Sequence, residues 1–132
     1  MRLTPNPGPF RLSLGDRGEL AACRFLKEKG YEILEKNYKC KLGEIDVIAR
    51  RQERLAFIEI KTRTSNQFGM PQEAVNLQKQ EKIFKVAQWY MKEKKLAKTP
   101  VAFDVVAVLW KEDEPPEINL IVDAFEKEDK SY

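Results

Sequence analysis

Apolar positions along the chain follow two spacings, and the change from one to the other divides it into elements. In "SLGDRGELAACRFLKEKG" the residues Leu14, Ala21, Ala22, Phe25 and Leu26 fall near one helical stripe, and Gly30 suits a helix stop, so the spacing predicts a helix over roughly 14–29. "YEILEKNYK" then alternates as a first strand, with "CKLG" as a turn. "GEIDVIARRQERLAFIEIKTR", residues 43–63, holds two alternating runs around the polar "RQER" and predicts antiparallel second and third strands. Residues 64–70 read as a loop, and Pro71 suits the first turn of a long helix over about 72–95. Ala74, Leu77, Ile83, Phe84, Ala87, Tyr90 and Met91 would form its apolar stripe. "PVAFDVVAVLW" is nearly continuously apolar and reads as a central strand, and "INLIVDAF" follows the "KEDEPPE" turn as the last one. The order α-β-β-β-α-β-β predicts an α/β fold, a central mixed sheet of about five strands flanked by helices.

The second and third strands raise a question of charge. Side chains alternate along a strand, so Glu44, Asp46 and Ile48 should share one face and Ile45, Val47 and Ala49 the other. Glu59 and Lys61 share a face of the third strand, opposite Ala56, Ile58 and Ile60. A two-residue turn at Gln52 and Glu53 sets Asp46 opposite Glu59 and Glu44 opposite Lys61. The turn lacks the Gly or Asn that favours a tight hairpin, and a slip by two would set Glu44 opposite Glu59 instead. Either register brings acids to about 5 Å of each other at Cβ. Ionised carboxylates that close repel, which proteins relieve by protonation, a cationic partner or a bound metal. On spacing alone the pattern also fits a solvated strand face with an ordinary mixture of Glu and Lys.

Composition narrows the chemistry. The 132 residues fit one domain, expected over 13–126 between a flexible proline-rich segment at 1–12 and a charged tail at 127–132. With 42% hydrophobic and 34% charged residues the chain should fold, and its net charge of +3 is compatible with a basic patch beside an acidic site. There is no histidine, which removes Ser-His-Asp and Cys-His triads and His-ligated zinc, so catalysis would rest on carboxylates, lysine or metal. Cys23 and Cys40 lack metal-ligand spacing and are expected as free thiols. No signal core or long apolar run is visible, and a cytoplasmic protein without membrane contact is expected.

An Asp on one strand followed by Glu-x-Lys on the next, here Asp46 and Glu59-Ile60-Lys61, resembles the signature of the PD-(D/E)XK nuclease superfamily. The ordered series "GE" in the first helix, "GEIDVIA", "FIEIKTR", "FG-P-EAV", "KQEK", "FDVV" and "DAF" is similar to the uncharacterised UPF0102 (YraN-like) family, over roughly 15–125. The resemblance implies a restriction-endonuclease-like core related to Holliday-junction resolvases, and a metal-dependent endonuclease acting on DNA, including branched or junction DNA, with Mg²⁺ or Mn²⁺. It also implies the site: Asp46, Glu59 and the Ile60 carbonyl as metal ligands, Lys61 orienting water or steadying the transition state, and Glu19 as a fourth site residue. Glu44 reads either as an outer carboxylate steering lysine or water or as the ion-pair partner of Lys61. Ile45 stands where the superfamily's name-giving proline would be.

Arg63, Lys79 and Lys82 are candidates for contact with the phosphate backbone, although lysines at that spacing equally fit a solvated helix face. Trp89 and Tyr90 fall within the helical pattern and are expected in the core. The rival to a nuclease is a non-catalytic module of the same fold that holds nucleic acid or a protein partner. A homodimer is a third possibility, since an exposed strand edge can pair symmetrically and two-strand incision needs symmetric sites.

Overall fold

The computed structural model describes residues 12–64 and 75–126. Its elements are α1 (Leu14–Glu28), β1 (Glu32–Cys40), β2 (Gly43–Arg51), β3 (Arg54–Arg63), α2 (Leu77–Glu93), β4 (Val101–Leu109) and β5 (Glu117–Ile121), in the order the periodicity predicts. The proline-rich N-terminal segment, the charged C-terminal tail and most of the predicted loop, with Pro71 and the "FG-P-EA" residues, lie outside the described residues.

The five strands form one sheet in the order β1-β2-β3-β4-β5. The β3/β4 pair is parallel and the others are antiparallel, because α2 carries the chain between β3 and β4 while short turns join the rest. Alternation along β3 and β4 then feeds two cores. Leu55, Phe57, Phe103 and Val105 pack with Ile83, Phe84, Ala87 and Tyr90 of α2, whereas Ala56, Ile58, Val106 and Val108 pack with Ala22, Cys23 and Leu26 of α1. The helices therefore cover opposite faces of a sheet whose central strands are apolar on both sides.

Local chemistry sets the helix ends. Ser13 caps α1 by accepting the Asp16 N–H at 3.0 Å. At the other end Gly30 adopts a φ of +95°, and the N–H groups of Gly30 and Tyr31 reach the carbonyls of Lys27 and Leu26 at 3.1 and 3.0 Å, the Schellman pattern. α2 starts later than its apolar pattern predicts: Asn76 is extended and caps the helix through the Lys79 N–H at 2.9 Å. Leu77, expected in the stripe, is consequently 79% exposed on the first turn. Trp89 also faces outward rather than into the core, and the Lys41 ammonium lies 5.1 Å from its ring. Cys23 and Cys40 are free, as expected. Among the described residues no helix is long and apolar enough to cross a membrane.

β5 ends four residues before the predicted strand does, and a buried acid accounts for the break. Asp104, in the middle of β4, is 1% exposed, and its Oδ1 accepts the Asp123 N–H at 2.9 Å while Oδ2 accepts the Tyr31 hydroxyl at 3.4 Å. Asp123 has a φ of +54° and pairs with Arg54 at 2.7 Å, so the chain turns there instead of continuing the ladder. Burial pushes the Asp104 carboxyl above its ordinary range. A raised folded-state value means that its contribution to stability is complete below the unfolded value and is lost as pH rises through the folded one. Asp104→Asn keeps an acceptor for the Asp123 N–H and removes the ionisation. Denaturant titrations at about pH 4 and about pH 7 should therefore differ less for this variant than for wild type. Asp104→Ala strands two donors and should cost about 2 kcal/mol.

Candidate functional site

The β2/β3 register is the one set by a two-residue turn at Gln52 and Glu53, with Arg51 opposite Arg54, Ile48 opposite Phe57 and Val47 opposite Ile58. The slip by two does not occur. The ladder stops at Val47 and Ile58, so neither Asp46 with Glu59 nor Glu44 with Lys61 forms a cross-strand pair. Instead the Asp46 carboxylate enters the ladder itself: its Oδ2 accepts the Ile60 N–H at 2.8 Å, where an unbroken sheet would offer a backbone carbonyl. A side chain in that place ends the backbone pairing of β2 with β3 at Asp46.

The face pattern changes at the same point. Val47 and Ala49 lie in the α1 core, but Ile45 joins Ile48 in the α2 core, so alternation does not carry through Asp46 as the sequence pattern predicts. On β1, Asn37 falls between the pairs Lys36/Val47 and Tyr38/Ile45, opposite Asp46, and has a φ of +52°. Its side-chain amide donates to Glu19 Oε1 at 3.3 Å. α1 thereby brings Glu19 towards the break from one face of the sheet. Burial raises the Glu19 carboxyl, the Asn37 contact opposes this, and the charges of Asp46, Asp16 and Glu44 add to it.

Glu59, Lys61 and Lys79 approach from the α2 face. Glu59 is 3% exposed; its Oε1 accepts an ion pair from Lys79 Nζ at 3.0 Å, and its Oε2 is buried without a hydrogen-bond partner among the described residues. Burial raises its carboxyl first, the nearby Asp46 charge raises it further, and Lys79 opposes both. Lys61 is lowered by burial and then by contact with Lys79. Burial works against the Lys79 charge as well, but its contacts with Lys61 and Glu59 outweigh it and raise Lys79.

The remaining candidates lie further out. Glu44 is exposed, pairs with Lys39 across β1, and lines a cleft of about 450 Å³ together with Gly43, Asn76, Gln78, Lys79, Lys82 and Ile83. Lys82 is exposed there, while Arg63 is half-buried at the end of β3, its carbonyl accepting the Trp110 N–H at 2.7 Å. The structure thus gathers Asp46, Glu59, Lys61 and Lys79 with Glu19 alongside, and leaves Glu44, Arg63 and Lys82 on the margin. Among the described residues no group of three or more His, Cys, Asp or Glu side chains is placed to hold a metal ion. Metal ligation would therefore rest on Asp46, Glu59 and a backbone oxygen. The orphaned Glu59 Oε2 fits such a role, because a buried carboxylate oxygen without a donor needs a cation or a proton.

Sequence reasoning missed Asn37 and did not include the ion pair that Lys79 makes with Glu59. It also missed the role of Gly18, where an added Cβ would lie 1.9 Å from Thr62 Oγ1, so its hydrogen lets α1 dock on β3 beside the site. A glycine in a helix interior was the available signal for this contact.

An α/β fold whose described residues form two helices on a five-stranded mixed sheet, with acids and lysines gathered where the β2/β3 ladder ends, defines the class. The chain belongs to the family described as "Uncharacterised protein family UPF0102", whose model matches residues 18–108, a span that includes every candidate site residue. It is 46% identical over 125 residues to a UPF0102 protein of Syntrophus aciditrophicus, covering 95% of this chain and 94% of that one. A UPF0102 protein of Caldanaerobacter subterraneus is 48% identical over 96 residues, covering 73% and 79%. One from Clostridium perfringens is 44% identical over 117 residues, covering 88% and 96%.

Proposed function

We propose that the protein is a metal-dependent endonuclease that hydrolyses phosphodiester bonds in DNA, branched or junction DNA included. The observation that carries this reading is Glu59 Oε2, a buried carboxylate oxygen without a partner among the described residues, held near the charge of Asp46 and beside two lysines. A structural carboxylate would have its acceptors filled, so this one is held ready for a cation. Asp46, Glu59 and the Ile60 carbonyl would hold Mg²⁺ or Mn²⁺, which when bound supplies a water of lowered pKa and offsets charge on the phosphoryl oxygens.

The chain's own residues do the rest. Burial lowers the Lys61 amine, favouring a group that can orient the attacking water. Glu19, hydrogen-bonded by Asn37 on the other face, borders the acidic side of the break. Lys82 on the cleft and Arg63 at the end of β3 supply charge for the phosphate backbone without reading sequence.

Incubation with branched, nicked, single-stranded and linear duplex DNA in Mg²⁺ or Mn²⁺ should give metal-dependent cleavage that Asp46→Ala abolishes. No cleavage of any of them, with metal binding unchanged in Asp46→Ala, sinks the reading. DNA bound but left uncut would identify a binding module on the same fold.

A further inference from the structure

The geometry points to Lys79 as an exchangeable counter-ion: its ammonium holds Glu59 while no metal is bound, and it passes to a DNA phosphate when a divalent cation takes that carboxylate. The inference rests on the metal site of the proposed function and adds a residue and a coupling to it.

Charge balance supplies the first part of the argument. Asp46, Glu59, Lys61 and Lys79 act on one another as two carboxylates against two ammonium groups, with Lys79 Nζ 3.0 Å from Glu59 Oε1. The balance holds without a metal. The two oxygens of a carboxylate are only about 2 Å apart, so a dication on Oε2 would lie within several ångströms of the ammonium on Oε1, in a site that solvent screens poorly. Two added positive charges on Glu59 compete with the ammonium already paired with it, and that contact is the one the cation weakens.

The surroundings point to the same lysine. Lys61 is fixed on β3, two residues from Glu59 and on the same face. Lys79 stands on the first turn of α2, its side chain is 42% exposed, and it lines the cleft of about 450 Å³ that it shares with Lys82, Asn76 and Glu44. A lysine stem turns readily about its four carbons, so release from Glu59 moves the charge into that cleft without moving the helix. The cleft is where a phosphate beside the site would lie. Lys79 then contributes to DNA binding only when the metal is bound, and metal and DNA favour each other through this one side chain.

Calorimetry with Mn²⁺ and fluorescence-polarisation binding of a DNA junction, with and without Ca²⁺, test this on the full chain. Lys79→Met should bind Mn²⁺ more tightly by on the order of fivefold, because a competitor for Glu59 is gone. Lys82→Met removes a neighbouring charge that does not touch Glu59 and should change Mn²⁺ affinity less than about twofold. Ca²⁺ should strengthen junction binding by wild type and much less by Lys79→Met. Circular dichroism checks that both variants fold.

Equal or weaker Mn²⁺ binding by Lys79→Met overturns the exchange and leaves the metal site standing. So does an equal tightening in Lys82→Met, which would show general repulsion of the cation. Loss of the same junction affinity with and without Ca²⁺ makes Lys79 an ordinary phosphate contact. No Mn²⁺ binding by wild type overturns both the exchange and the metal reading beneath it.

Discussion

Gly18→Ala should lower the melting temperature by about 8 °C, although Ala is the better helix former by about 1 kcal/mol. The added methyl would stand 1.9 Å from Thr62 Oγ1 and 2.8 Å from both Cβ and Cγ2 of that residue. Thr62 is β-branched and short, so it has no flexible end to move aside. Helix and strand must separate instead, against a core in which Ala22 and Leu26 are fully buried. Overpacking of this kind costs about 1–3 kcal/mol, and with no flexible group to yield the cost falls at the top of that range, so that a net loss of about 2 kcal/mol after the propensity gain accounts for the shift. Thr62→Ala in the same chain removes Oγ1 and Cγ2 but leaves Cβ at 2.8 Å, so it should restore part of the loss. A Gly18→Ala variant that melts at or above wild type would show that α1 does not dock there. Cleavage should fall further than the lost stability accounts for, because Glu19 is the next residue and moves with the helix.

That contact marks a boundary of what the sequence could show. Every element was legible from its period, since alternation and helical spacing are local properties and the caps at Ser13 and Gly30 confirm them chemically. The structure adopts the register of the two-residue turn at Gln52 and Glu53, whereas coincidence of the apolar faces of β2 and β3 also allowed the slip by two. Parity arguments, however, assume an unbroken ladder. They could not foresee that Asp46 would take the Ile60 N–H with its side chain, or that Ile45 would turn to the α2 core. α2 starts after its apolar pattern does, because that pattern extends N-terminally past the cap at Asn76. Spacing along α2 does not contain the reach of Lys79 across to Glu59 on β3. Strand ends, side chains inserted into ladders and contacts between layers depend on three-dimensional distance, and spacing along one element does not contain it.

If the protein is the nuclease proposed above, Glu59→Gln should reduce cleavage on the order of 10³-fold, a loss of about 4 kcal/mol in transition-state stabilisation, while making the folded protein more stable by about 1 kcal/mol. The two effects share a cause. Wild-type Glu59 holds a charge at 3% exposure with one oxygen unpartnered among the described residues, and Asp46 stands near enough to raise its carboxyl further. Gln is close in shape and carries no charge, so that cost is removed. The lost ion pair offsets only part of the gain, because the Lys79 side chain is 42% exposed and water can take over its ammonium. The pH dependence follows from the direction of the shift. The folded-state value lies above the unfolded one, so the stability Glu59 contributes is complete below the unfolded value and is lost as pH rises through the folded value. The advantage of Glu59→Gln should therefore be small at about pH 4 and grow towards about pH 8. Denaturant midpoints of the two proteins across that range measure it without reference to any substrate. A variant less stable at every pH would make Glu59 a structural carboxylate, and the functional reading would lose its main support. A more stable but inactive variant would show that the fold carries this charge for its chemistry.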